Sequence, residues 1–320
     1  MRKQLLVAIL LTAMLAGIAD AQSWPERPVR LIVAFGAGGT TDVVARIVAA
    51  RLSEVFQQQF IVENRPGATG VIGAEYVARA PADGYSLLVG TAPQLAIAPL
   101  MAKTPYDPLK DFTPISNLAA TPFALVVHRG LPVSTLGEFV DFVRKNPGRL
   151  SYAVTGFGSV SHLTMMLLLK RAGLDMVPVA YKGGASGLTD VIAGHVQAHL
   201  TGVAVALPHA ATNEVKLLAV TSERRLPQLP HVPTLAESGF PDLKVLLWTG
   251  LLAPAATPPS IIDRIAVETE RALRDPSVAE RLAGSGVDPL GSTPEQFAAT
   301  IDRDIAFWRD AIAITGIREK

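Results

Sequence analysis

The residues whose types and spacing could do chemistry are glycine clusters at the junctions between apolar runs and helical patterns. Gly36-Ala37-Gly38-Gly39-Thr40-Thr41-Asp42 is the first. Glycines let consecutive backbone N–H groups point to one side, and the start of a helix adds partial positive charge. A carboxylate or phosphate could dock there with no cationic side chain; the competing reading is a tight turn and nothing more. Thr155-Gly156-Phe157-Gly158-Ser159 is a second cluster, with hydroxyls at Thr155, Ser159 and Ser161 able to donate, and Tyr181-Lys182-Gly183-Gly184 is a third. Turn geometry explains one such feature but gives no reason for three. The expectation is an anion held mainly by backbone donors.

Other chemistry fits poorly. Gly36 and Gly38 would need a glycine at position 41 to complete a dinucleotide fingerprint, and Thr41 stands there. No phosphate loop ending in Gly-Lys-Ser/Thr occurs. Ser159 and His162 lie three apart, yet no Gly-x-Ser-x-Gly elbow is present and nothing supplies a third member to orient the histidine. His162, at the mouth of an apolar helix, reads as a capping or packing residue. His195 and His199 would share a face of a strand, as a metal pair might, but lack the His-Glu-x-x-His pattern. Asp42 reads as a first-turn helix residue that fixes the glycine loop rather than as a general base. No catalytic residue, metal or cofactor is expected.

The elements that must position these turns follow a repeated grammar. Residues 29–33 read as a strand, the first glycine turn opens a helix running to about Phe56, residues 60–63 form a second strand, and a Gly/Pro turn at 64–70 precedes a helix over 72–79. A third strand covers 85–89. Strand, turn, helix with short links is the pattern of a parallel sheet covered on both faces, and ligands sit beyond the carboxyl ends of its strands. The turns at 36–42, 64–70 and 90–94 should converge. Residues 100–114 read as a Pro-rich connector. The grammar then recurs: strands over 123–127, 151–154, 176–180, 194–200 and 216–221, with helices over 136–146, 161–172 and up to about Ala193. A second lobe is inferred over 124–225. A crossing strand at 246–252 and helices over 260–273, 278–285 and from Thr293 to about Ile314 follow, the last opened by Pro294, Glu295 and Gln296. This tail should pack back on the first lobe, giving lobe 1 as 22–123 plus 226–320 and two chain crossings that form a hinge.

Composition limits the setting. The 320 residues include no cysteine, which excludes disulfides, thiolate nucleophiles and Cys-bound metals and disfavours lipidation, since there is no cysteine to acylate. Arg2 and Lys3 precede an apolar run from Leu5 to Ile18 and the small residues of Ala19-Asp20-Ala21, the layout of a signal peptide over 1–21 with a mature start at Gln22. The run is shorter than the roughly 18 to 20 residues a membrane span needs. Removing Arg2, Lys3 and Asp20 leaves 27 basic and 27 acidic residues. With no basic stripe, no nucleic-acid partner is expected.

Taken in order, these motifs resemble the receptor component of tripartite tricarboxylate transporters, the Bug-type periplasmic binding proteins. The resemblance rests on Trp24-Pro25-Glu26-Arg27-Pro28, Gly38-Gly39-Thr40-Thr41-Asp42, Val62-Glu63-Asn64-Arg65-Pro66-Gly67-Ala68 and Pro81-Ala82-Asp83-Gly84-Tyr85. It continues through Tyr106-Asp107-Pro108, Gly158-Ser159 with His162-Leu163, Tyr181-Lys182-Gly183-Gly184, Ala219-Val220-Thr221-Ser222, Val232-Pro233-Thr234, and Trp248 with Gly250. What it implies is an α/β, two-lobed, type II-like periplasmic binding protein with a mostly parallel sheet in each lobe and a ligand cleft between them. Such a protein closes on a small organic carboxylate and delivers it to a two-component integral membrane permease, as a monomer by default. A periplasmic sensor for a signalling partner is the alternative, and an enzyme acting on a small carboxylate a remoter one.

In that family the ligand is gripped largely by backbone groups and ordered water. Carried onto this chain, the contacts are Phe35, Gly36, Ala37, Gly38, Gly39, Thr40, Thr41 and Asp42, with Thr91 and Ala92. The second lobe contributes Thr155, Gly156, Phe157, Gly158, Ser159, Tyr181, Lys182 and Gly183, with Asp190 at the cleft edge. The chain departs from the family pattern at Ala34 and Ala37, where prolines are common, and over 91–99, which lacks the usual His and Asn. Phe157 stands where a polar residue is usual, and an apolar side chain there could favour a less polar or aromatic carboxylate over citrate.

Overall fold

Residues 24–316 are described in this computed structural model; the expected signal peptide lies outside them. Strand β1 (Val29–Val33) leads into helix α1 (Thr40–Phe56), β2 (Phe60–Asn64), α2 (Val71–Ala78) and β3 (Ser86–Thr91). A π-helical turn (Pro93–Ile97) and the short α3 (Ala98–Met101) precede β4 (Phe112–His128). Next come α4 (Leu136–Lys145), β5 (Ser151–Val154), α5 (Val160–Ala172), β6 (Val177–Ala180), α6 (Gly184–Ala193), β7 (Ala198–Gly202), α7 (Val203–Ala211) and β8 (Val215–Val220). The chain closes with β9 (Leu246–Pro254), α8 (Pro259–Arg274), α9 (Pro276–Gly284), β10 (Asp288–Pro289) and α10 (Pro294–Thr315).

The strands run in the order β2-β1-β3-β9-β4-β7-β5-β6, with β8 and β10 also paired to β4. The sheets are mixed rather than mostly parallel. Among the described strands, parallel ladders are confined to β2-β1-β3 and β6-β5-β7, the strands joined by helical crossovers, and one isolated parallel bridge links Val220 and Thr234. β4 and β9 carry the chain between the lobes in opposite directions, and every pairing they make is antiparallel.

β4 is also longer than expected. Its first part pairs with β9 as far as Pro122, and from Phe123 it pairs with β7. Pro114 and Pro122 lack an N–H and read as breakers, but β4 takes up irregularities between Pro114 and Ser116 and between Asn117 and Ala119, and continues. Pro122 lies opposite Leu246 at the start of β9, so the two crossings sit side by side. The segment between β8 and β9 stays with β8: Leu235 N donates to Val220 O at 2.8 Å and Val245 N to Thr221 O at 3.2 Å.

α7 was not legible as a helix, since Pro208 sits inside it and Val203 and Val205 favour strand. α10 was. Thr293 and Gln296 form a reciprocal capping box, and α10 buries Phe297, Ile301 and Trp308 against the main core. Gly250 on β9 makes room for this: a Cβ there would stand 2.0 Å from the Phe297 ring. α10 ends beside the second lobe, where Lys170 Nζ donates to Ile314 O at 2.7 Å. No helix among the described residues is long and apolar enough to cross a membrane.

Candidate anion-binding site

The first-lobe loop leaves β1 and turns at Gly38, whose φ of 73° is left-handed and costs glycine little. Asp42, one turn into α1, holds it. Its Oδ2 accepts from Gly38 N at 2.9 Å and from Arg46 Nε at 2.8 Å. Its Oδ1 accepts from Asn64 Nδ2 at 2.9 Å, and the same amide nitrogen donates to Phe35 O at 3.0 Å. Burial pushes the Asp42 carboxyl up, but hydrogen bonds from Arg46, Gly38 and Asn64 outweigh it and leave the pKa lowered. Both carboxylate oxygens are thus occupied in fixing the loop.

The second-lobe loop after β5 is held by neutral groups. Ser159 caps α5, its Oγ accepting from His162 N at 3.2 Å, and lies 3.1 Å from Ser161 Oγ, which is 3.3 Å from Thr155 Oγ1. His162 Nδ1 accepts from Gly158 N at 3.1 Å, and burial lowers its pKa to about 4, so it is neutral near pH 7. The Ser159–His162 pair therefore forms a helix cap and a loop tether. Tyr181 OH donates to Asp190 Oδ2 at 2.6 Å; burial and this carboxylate raise the Tyr181 pKa to about 12. His199 is buried against Ala153 O at 2.9 Å with its pKa lowered to about 4, while His195 is exposed and precedes β7. Among the described residues, no group of three or more His, Cys, Asp or Glu could hold a metal ion.

The lobes touch directly. Gly36 N donates to Lys182 O at 3.2 Å, and Thr69 Oγ1 to Phe157 O at 2.9 Å. Between them lies an inner pocket of about 50 Å³. Its walls include the first residues of α1 (Thr40, Thr41), of the π-helical turn (Pro93), of α5 (Val160, Ser161) and of α6 (Gly184), and Gly202 immediately before α7. Apart from Pro93, which has no N–H, helix termini of this kind present N–H groups without intrahelical partners and the positive end of a dipole. Among the described residues, no Lys, Arg or His lines the pocket. The Thr91 hydroxyl adds a side-chain donor: with the Gln94 amide turned so that its nitrogen faces Thr91 O and Oγ1 (3.1 and 2.8 Å), Thr91 Oγ1 accepts from Gln94 and keeps its own proton for the pocket. Gly202 must be glycine here, because a Cβ would stand 1.9 Å from Thr40 Oγ1 across the cleft.

A second space of about 1340 Å³ adjoins this pocket and shares Phe35 and Thr155 with it. Of the expected residues, Phe35, Gly39, Thr40, Thr41, Thr91, Thr155 and Gly183 line the inner pocket, and Gly156, Phe157, Gly158, Tyr181 and Lys182 line the outer chamber. Gly36 sits at the contact between the lobes, and Ala37 and Gly38 are exposed on the loop. Asp42, Ala92, Ser159 and Asp190 line neither space and support those that do, or lie behind them. Missed from the sequence were Thr201 and Gly202, because α7 went unrecognised, and Phe123 and Leu247, because their strands were placed without a partner.

Comparison with known proteins agrees with this architecture. Residues 44–317 match the family described as the tripartite tricarboxylate transporter family receptor. The chain is similar to protein BugT of Bordetella pertussis, 34% identical over 311 residues, which cover 97% of this chain and 95% of that one. Among solved structures, Rpa4515 of R. palustris with adipate is 36% identical with a TM-score of 0.89, over 92% of this chain and 99% of the other. MatC of Rhodopseudomonas palustris with bound malate is 33% identical with a TM-score of 0.86, over 90% and 100%. The chain belongs to the tripartite tricarboxylate transporter receptor family.

Proposed function

We propose that this protein is an extracytoplasmic receptor that closes on a small organic carboxylate and delivers it to the two-component permease of a tripartite transporter. The observation that carries the reading is the convergence of helix N-termini from both lobes on a small pocket with no cationic side chain. A carboxylate there would accept charge-assisted hydrogen bonds from fixed N–H donors and from Thr91, Thr155 and Ser161 hydroxyls. Closing the lobes removes water and strengthens each bond. Similar proteins hold adipate and malate, acids of this class.

The reading assigns the remaining parts as follows. Lobe 1 is 22–123 with 226–320 and lobe 2 is 124–225, although the pairing of Pro122 with Leu246 and of Val245 with Thr221 favours a return crossing at 245–246. The hinge is the adjacent pair β4 and β9. Residues 1–21 direct export to the periplasm, where the protein acts as a monomer with no catalytic residue, cofactor or metal. Asp42 and Asp190 act as positioning residues, for the first glycine loop and for Tyr181. A thermal-melt series with malate, adipate, citrate, aromatic acids and neutral analogues, on protein unfolded and refolded to strip carried-over solute, tests the reading. A ligand at 100 times its Kd adds about 2.7 kcal/mol of stability, so at least one acid should give a saturable rise; a panel in which only neutral analogues raise the melting temperature would contradict it.

A further inference from the structure

The two spaces in the cleft differ in chemistry as well as size. The inner pocket, at about 50 Å³, takes a carboxylate and little more. Phe35 and Thr155 belong to the walls of both spaces, so a molecule anchored inside extends past them into the chamber of about 1340 Å³. There it meets Met101, Phe157, Met166 and Leu169. Phe157 is 57% exposed although its ring stands edge-on to His162 at 5.4 Å, an apolar surface left open inside a cleft. Methionines beside it adapt to varied apolar shapes. Of the cations that reach the chamber, Lys170 is occupied by Ile314 O, and Lys103 and Lys182 are exposed.

We propose that the ligand is a monocarboxylate with an apolar body, an alkyl chain of about four or more carbons or an aryl group, its carboxylate in the inner pocket and its tail against Met101, Phe157 and Met166. This rests on the carboxylate reading above and narrows it. Met101, Phe157 and Met166 offer apolar surface, while the Thr69, Thr104 and Tyr181 hydroxyls of the same chamber already donate to Phe157 O, Tyr106 O and Asp190 Oδ2, and that contrast selects a single-headed ligand. Removing an apolar tail from water tightens binding with each methylene.

Calorimetric titration of the purified, refolded protein with butanoate, hexanoate, octanoate, adipate and hexanol tests this. Kd should fall by roughly fourfold for each methylene from butanoate to octanoate, hexanoate should bind more tightly than adipate, and Phe157→Asn should flatten the series. A flat series in the unaltered protein, or adipate tighter than hexanoate, overturns the single-headed ligand and leaves the carboxylate receptor standing. Binding of hexanol with none of the acids, or of nothing at all in this series and in the wider acid panel, overturns both.

Discussion

The glycine loop after β1 is pinned by a buried carboxylate, and the loop after β5 by a serine cap, two further hydroxyls and a neutral histidine. The first turns of the helices that follow these two loops line one pocket, yet the loops should fail under different conditions. Asp42 accepts from three donors, and its lowered pKa keeps those bonds intact until the pH falls below the ordinary aspartate value of 3.8. His162 can accept from Gly158 N only while Nδ1 is unprotonated. Preorganisation by charge and preorganisation by neutral groups give similar geometry with different tolerance to acid.

The change expected to have the largest effect removes the meeting of the two lobes. At Gly202 even a Cβ would stand 1.9 Å from Thr40 Oγ1, so Gly202→Val forces the lobes apart and should weaken carboxylate binding by more than about 100-fold because the pocket cannot close. A far-ultraviolet dichroism melt within a few degrees of the unaltered protein would show that the lobes still fold. Retained affinity in such a folded variant would separate the pocket from ligand binding.

Acid separates the loops next. His162 and His199 have folded pKa values of about 4 against an ordinary 6.5. The unfolded chain therefore binds more protons between these values, and stability, complete above pH 6.5, falls as the pH drops toward 4, by up to about 3 kcal/mol for each histidine. Asp304, in the first lobe, works in the opposite sense. Burial raises its pKa to about 6 against a hydrogen bond from Trp248 Nε1 at 2.8 Å, so its contribution is complete below about 3.8 and lost as the pH rises through 6. Asp304→Asn should steepen the acid loss measured by urea unfolding at pH 7, 5.5 and 4.5. An unchanged slope would contradict the assigned burial of that carboxyl.

Paired substitutions give the smallest effects. Asp42→Ala removes the acceptor from Gly38, Arg46 and Asn64 and should weaken binding by about tenfold, since a charged hydrogen-bonding centre is lost. Ser159→Ala removes a helix cap at a cost of about 1 kcal/mol in stability, with a smaller loss of affinity. Equal losses of affinity would mean that the two loops are held equally firmly.

How much of this was legible follows from where the local signals lie. The glycine turns could be read because positive φ and close approach leave a mark in composition, as at Gly38, Gly156 and Gly158. Thr293 with Gln296 announced α10 because capping is local. The role of Asp42 in fixing its loop was readable from its place in the first turn, but its partner Asn64 comes from the next strand and carries no local signal. Prolines misled twice. Pro114 and Pro122 concealed a 17-residue strand whose irregular register absorbs them, and Pro208 concealed α7, so Gly202 and the helical terminus it opens were missed. The mixed pairing of the sheets also escaped, because the direction of β4 and β9 is set by pairing with strands distant in sequence and not by either strand's own residues.

The most direct measurement compares an acid that binds with its primary amide, equal in size and shape and lacking only the charge, by calorimetry on refolded protein. Donors fixed at helix N-termini in a pocket without a cation should hold the acid at least about 100-fold more tightly than the amide, because the charge-assisted hydrogen bonds and the dipole term are lost together. An amide that binds within about threefold of the acid would contradict the anion cradle at the centre of this account.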